Sequence, residues 1–554
     1  MLWFVQDFAL LAVILRAITL SLQTLLLGGI LFTLLILPAG PANQPAWLRC
    51  RCWIGRFGLA MTVPLLLSTA IDSALLMGTT ELHLRDLLMA DYVLWGAAAI
   101  LAALAIYVIV RADIRSDIRA DARAGTASRR RLHWLWAPAA VLLLAAVSSS
   151  HAVSRLDHRV PLSLLTGLHQ AGAAAWVGGL AFLLIALAAT KDDTAAGILL
   201  RRFVWIAATG AATIITTGIW LSLYYVGSWP ALYGTAYGVM LIVKATLLCS
   251  LLLLGGLNWA LARQRGDWAH KLGTSALLLV RRLAEVETAI GFTIILAASS
   301  LTSQPPAIDL VDGRLTGLEI IQRFTPIAPR FTSPPVGELA PATPLDIAVP
   351  DYDNAERAAA HQDRDPDIAW SEYSHHWAGI ILLIIGIGAL LSSFPRLRWA
   401  RHWPLGFVAL AIFAFLRGDP ENWPLGPISF WKSFYDPEVL THRIYYVIFL
   451  FYAGFEWGVQ TGRLTSLWTA RVFPVMLALG GAGLLLHNHA MGNEKNELLI
   501  EISHNAMGIL AVFAGLGRWL EIQLPESRAR RVTAHSWPVF LILIGCLLMN
   551  YREA

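Results

Sequence analysis

Charge is scarce in this chain. Of its 554 residues only 14% are Asp, Glu, Lys or Arg, against the ~25% of an ordinary soluble domain. That shortage excludes a water-soluble globular protein and makes lipid the expected solvent and partner, with no nucleic acid. Cysteine is nearly absent too: Cys50, Cys52, Cys249 and Cys546 are too few and too scattered for a disulfide framework. Hydrophobic alternation of period two is missing, which argues against a membrane β-barrel. The chain has no Gly-x-x-x-x-Gly-Lys-Ser/Thr loop, no Asp-Lys-Thr-Gly phosphorylation motif and no large polar inner domain, so ATP hydrolysis is not expected to drive it. The start carries Asp7 and lacks a basic region followed by a small-residue cleavage site, and it reads as a retained first helix.

What fills the chain instead is apolar. Hydrophobic residues make up 57% and the mean hydropathy is +0.60, in runs that reach the roughly 20 residues a helix needs to cross the hydrocarbon core. The expected spans are 7–37, 53–77, 88–110, 134–153, 162–189, 203–227, 238–262, 283–302, 375–394, 403–417, 441–461, 472–489, 499–520 and 535–550. The fold expected is an all-α, polytopic membrane bundle of about fourteen helices. The short 403–417 run, closed by Arg417, makes twelve or thirteen an alternative.

Alternate connections hold the basic residues. One side carries Arg49, Arg51 and Arg56, the arginines between Arg111 and Arg131, Arg201, Arg202, Arg281, Arg282, Arg396 to Arg401, Arg463, Arg471 and Arg528 to Arg531. The opposite side has little beyond Arg85, Arg155, Arg159, Lys432 and Lys495. The positive-inside rule places the first set in the cytoplasm and both termini in the periplasm of a bacterial inner membrane. A Pro-, Asp- and Ala-rich stretch, 303–372, then reads as an irregular periplasmic excursion that either packs on the membrane domain or stays mobile. It separates an eight-helix domain, 1–302, from a six-helix domain, 373–554.

The fifteen histidines form an independent pattern, since only Lys and Arg set the topology. Nine of them, His151, His158, His169, His375, His376, His442, His487, His489 and His504, fall at or near the periplasmic face. His442 opens one helix, His487 and His489 close the next, and His504 lies in the first turns of the third. Short connections make these three helices antiparallel neighbours and bring their outer ends together. His375 and His376 lie at the mouth of a fourth. Imidazole is a leading ligand for copper and zinc, and several from adjacent helices can build a coordination shell. Residues two apart point about 200° from one another, so only one of His487 and His489 is expected to face the site. Met507 shares a face with His504, and its thioether would favour Cu(I). Interfacial histidines also occur as polar tips at the headgroup level, and that reading stays open for each ring taken singly.

In the first half, His169 lies about two turns below the outer surface, in a run of small residues, with His151 near the same mouth. Arg16, Asp72, Lys244 and Glu456 are polar groups inside the membrane and candidates for a path, with Asp72 and Lys244 a possible pair. Cys50-Arg51-Cys52 on the inner side has the thiolate spacing of a Cu(I) acceptor. A redox alternative is a membrane redox protein with haem b held between His442 and His504, or with a copper oxidase site; a copper-holding assembly subunit of an oxidase is a third reading.

The stretch 160–265 resembles the copper resistance protein D family of bacterial inner-membrane proteins. The residues that carry the likeness are Leu168-His169, Trp176-Val177-Gly178-Gly179, Arg201-Arg202-Phe203, Thr217-Gly218, Gly234-Thr235-Ala236-Tyr237-Gly238 with Lys244, and Leu257-Asn258. Leu486-His487-Asn488-His489 and the ending Tyr551-Arg552-Glu553-Ala554 look like the extension of longer members. The resemblance implies copper uptake or sequestration at the inner membrane, often beside a periplasmic copper-binding protein of the copper resistance C type. It also makes His169 a ligand candidate. With nine methionines the chain lacks a Met-rich delivery segment. The expectation is a transporter or metal-binding protein rather than an enzyme: outer histidines capture copper, the region around His169 carries it inward, and inner thiols accept it.

Overall fold

A computed structural model describes residues 8–38, 43–79, 84–119, 132–190, 192–263, 274–339, 365–486 and 495–553. Among them the chain is helical throughout, with no strand and a single isolated bridge, Asn422 to Ile428. Twelve helices are long and apolar enough to cross a membrane. Two further helices fall where spans were expected: Trp136–Ser148 is short, and Pro437–Gln460 carries Arg443 and Glu456 in its apolar run. In lipid every backbone N–H and C=O must be paired inside its own segment, which is why these runs become helices.

The chain divides into two compact units, one of residues 12–228 and 244–308, the other of residues 1–11, 229–243 and 309–554. The first, called here the N-terminal unit, has a core of Leu26, Ile30, Phe32, Ile54, Ile106, Phe182 and Phe203. Two π-helical turns interrupt it, Phe32–Ile36 and Ala174–Gly178. Beside the second, backbones touch: a Cβ on Gly178 would lie 2.1 Å from the Thr24 carbonyl oxygen, and one on Gly28 would lie 2.3 Å from that of Ala174. Only glycine permits that approach, the small-residue packing on which membrane helices depend. Arg51 ties Gln44–Thr79 to Asp91–Arg119 through Asp113 at 2.6 Å and Asp117 at 2.5 Å.

In the C-terminal unit, Asp365–Ser392 packs along Arg528–Met549, and Leu467–Leu484 along Lys495–Gln523. Gly481 and Gly508 form the second crossing, each within 3 Å of the other's carbonyl oxygen if given a Cβ. Trp403, Phe407, Tyr452, Phe473 and Trp537 make an aromatic core toward one end.

The described part of the Pro-rich stretch contains one short helix and is bonded to its own unit. Gly317–Phe324 is a helix closed by a capping box, Thr316 accepting from the Glu319 N–H while Glu319 accepts from that of Thr316. The chain after it is stitched to its unit: Ile327 N–H donates to Asn550 Oδ1 at 3.0 Å, and Arg330 N–H to His376 Nδ1 at 2.7 Å. Residues 340–364 lie outside the described set.

Candidate functional site

Two histidines of the C-terminal unit are held in the same way. His375 is bonded through Nδ1 to the Ser371 carbonyl oxygen, and His504 through Nδ1 to that of Ile500, both at 2.9 Å. Each acceptor lies one turn earlier on the ring's own helix, so the helix itself aims the imidazole. A ring that donates through Nδ1 has its lone pair on Nε2, the nitrogen a metal takes. The two rings stand perpendicular, 88° apart, with centroids 6.4 Å from each other. A third, His442, is bonded through Nδ1 to Asp419 Oδ1 at 2.7 Å and lies within electrostatic reach of both. A carbonyl or carboxylate behind each imidazole is the outer-shell arrangement that raises ligand basicity.

Tyr551 packs beside both rings. It stacks on His375 with centroids 3.8 Å apart and meets His504 edge-on at 6.3 Å. Its hydroxyl is 3.0 Å from Glu553 Oε2, and the Arg323 guanidinium lies 4.5 Å over its face. Burial, with the neighbouring Glu553 charge, pushes the Tyr551 phenol far above its ordinary value, so the group stays neutral. Arg323 also donates to Ser503 Oγ at 3.2 Å, beside His504. Tyr551, Arg323 and Asp419 were not among the candidates drawn from sequence. Threonine and glutamate at capping-box spacing before an apolar run were the available signal for Arg323's helix.

Other expected ligands are placed elsewhere. His376 is wholly buried with both ring nitrogens engaged: Nδ1 accepts from Arg330 N–H, and Nε2 is bonded to the Tyr551 carbonyl oxygen at 2.8 Å. In this arrangement it has no nitrogen for a metal, and it ties the chain end to the Pro-rich stretch. Met507 is buried in the aliphatic and aromatic core. His487 and His489 lie outside the described residues. Among the described residues no three His, Cys, Asp or Glu side chains converge closely enough to hold an ion. The cluster is therefore a pair of oriented imidazoles with a third nearby, not a closed shell.

In the N-terminal unit, His169 Nδ1 is 3.0 Å from Thr217 Oγ1, whose hydroxyl donates to the Thr213 carbonyl oxygen at 2.6 Å. His169 therefore donates through Nδ1, and it too carries its lone pair on Nε2. Gly218 lets the ring lie close, since a Cβ there would be 3.3 Å from His169 Cε1. His151 is bonded to the backbone at Thr302 and Gln304, and its Nε2 is buried without a hydrogen-bond partner. Burial and then the positive field of Arg16 hold His151 below the ordinary histidine value, which favours the neutral ligand form. Arg16 donates through Nε to Thr302 Oγ1 at 2.7 Å. The charge that acts on Asp72 is Arg16, not the Lys244 that could have paired with it; Lys244 lies within electrostatic reach of His169.

The inner thiol pair does not form a chelate. Cys50 is fully buried in the apolar core against Thr33, while Cys52 is half-buried on the same continuous helix. Two positions on a helix diverge by about 200°, so the two sulfurs face apart. Glu456 is paired with Arg518 at 2.7 Å.

Residues 197–301 match the family described as copper resistance protein D. Copper transport protein CutJ of Bacillus subtilis (strain 168) is 32% identical over 167 residues, which is 30% of this chain and 29% of that protein. The chain thus matches less than a third of that relative's length. No solved structure matches it.

Proposed function

From the copper resistance protein D domain at residues 197–301, in a multi-pass inner-membrane protein with twelve apolar helices, we propose that the chain takes up copper at its periplasmic face and relays it inward without ATP. His375 and His504 are the capture pair and His442 the third ligand, drawn in when the ion binds. His151 and His169 serve the copper resistance protein D half. The observation that carries this reading is the shared construction of the His375 and His504 rings: each fixed through Nδ1 by its own helix, 6.4 Å apart and perpendicular. Two imidazoles suit copper in either oxidation state. A neutral buried Tyr551 stacks on His375 and meets His504 edge-on, which steadies both rings. A periplasmic copper-binding protein of the copper resistance C type is the natural donor.

The test is copper uptake into proteoliposomes in the absence of ATP. Wild-type chain is expected to accumulate copper, and the double variant His375→Ala/His504→Ala to lose most of that uptake. Uptake that is absent in wild type, or equal in the two, would overturn the reading. A haem band in the visible spectrum of the purified protein would instead support the bis-histidine redox alternative. Against that alternative, Tyr551 already packs edge-on against His504.

A further inference from the structure

At the other end of the C-terminal unit, two carboxylates share one guanidinium. Arg518 reaches Glu456 Oε1 through Nη2 at 2.7 Å and Glu521 Oε2 through Nη1 at 2.7 Å. Glu456 Oε1 also accepts from Gln460 Nε2 at 2.8 Å, and Trp537 Nε1 donates to Glu521 Oε2 at 2.6 Å. Among the described residues, the charges acting on Glu456 are those of Arg518 and Glu521. The group is therefore one negative charge in excess.

That excess falls where it is costly. Glu456 is 0% exposed, and its Oε2 is buried with no hydrogen-bond partner. An uncompensated charge inside a membrane helix bundle is strongly disfavoured. A proton on Oε2 removes the excess and turns an orphan acceptor into a donor. A cavity of about 220 Å³ adjoins the group, lined by Ser392, Ser393, Gln460, Arg518, Glu521 and Trp537, with Glu456 itself behind that wall. Gln460 and Arg518, the two groups that hold Glu456, are part of its wall. A polar cavity of that size accommodates several waters. It sits among the helix ends that lead to Arg463, Arg471, Arg528, Arg530 and Arg531, the cytoplasmic end by the positive-inside rule.

We propose that Glu456 is a proton-binding site, loaded from the water of this cavity and governed by the sharing of Arg518 with Glu521. The step balances: hydronium gives its proton to the Glu456 carboxylate, leaving water and a neutral carboxylic acid, while Arg518 stays paired with Glu521. Nothing in this depends on the copper reading, and the test needs no copper.

The full chain in lipid nanodiscs, free of metal, is titrated by infrared spectroscopy through the carboxylic-acid C=O stretch. Wild type is expected to show a band that grows reversibly as pH falls, and Glu456→Gln to lack it. Glu521→Gln leaves Arg518 wholly to Glu456, so proton affinity should fall by about tenfold or more, one pH unit. Identical titrating bands in wild type and Glu456→Gln would overturn the proposal. So would a Glu521→Gln titration that does not move, a comparison that decides even if Glu456→Gln fails to fold.

Discussion

The histidines that converge are those whose own helices supply the second bond. His375 and His504 each use the carbonyl four residues earlier, so their orientation survives small shifts of neighbouring helices. Tyr551 adds the third constraint by stacking on His375. Replacing Tyr551 by Ala should loosen the ring and lower copper affinity about tenfold, the lower end of what lost outer-shell support costs a metal site. Tyr551→Phe keeps the stack and should stay within a few-fold of wild type. Competition titration with a copper chelator distinguishes the two; equal losses would mean the hydroxyl, not the ring, matters. The sequence sets nine histidines toward one face as an expectation, because loop charges assign the sides independently. Which of them meet was not legible. His375 and His376 are adjacent in sequence, yet one faces His504 and the other binds backbone on both nitrogens. Tyr551 and Arg323 reach the cluster from positions that no helical periodicity links to it.

Between elements, glycine decides how near the helices come. Gly508 lies one turn beyond His504 and touches the Gly481 carbonyl, so Gly508→Leu must separate Leu467–Leu484 from Lys495–Gln523. A loss of at least the ~1–3 kcal/mol of an overpacked core is expected, read as a lower thermal transition in detergent, together with weaker copper binding. An unchanged transition would contradict the close crossing. The helix Gly317–Phe324 depends on its cap. The Thr316 backbone N–H, the Lys495 ammonium and the Thr316 hydroxyl hold the Glu319 carboxyl down to about 2, from an ordinary 4.5. A depressed carboxylate contributes fully above its ordinary value and is lost as pH falls through the folded one. Hydrogen-exchange protection of 319–323 should therefore hold above pH 4.5 and decline toward about 2. Because Glu319 and Lys495 are both partly solvent-exposed, the effect is modest. Protection that stays constant across that window would contradict the capping contribution. The long helices were readable from hydropathy alone. For this short one the capping-box spacing was the signal available, while the bonds that fix it to distant residues such as Asn550 were not readable.

Across the whole molecule, the account stands on which ends of the helices face outward. In a chain freed of its four native cysteines, Ser429→Cys and Thr465→Cys place reporters on exposed connections at opposite ends of Pro437–Gln460. The positive-inside rule expects an impermeant thiol reagent to label the first in intact cells and the second only after lysis. The reverse pattern would turn the histidine cluster toward the cytoplasm and make export the better reading. The most direct measurement is copper content with chelator-competition affinity on the purified chain, wild type against His375→Ala/His504→Ala. The account expects copper in the wild type and a loss of bound copper in the double variant, with the variant's helical content unchanged. Equal copper in both proteins, at equal affinity, would contradict it.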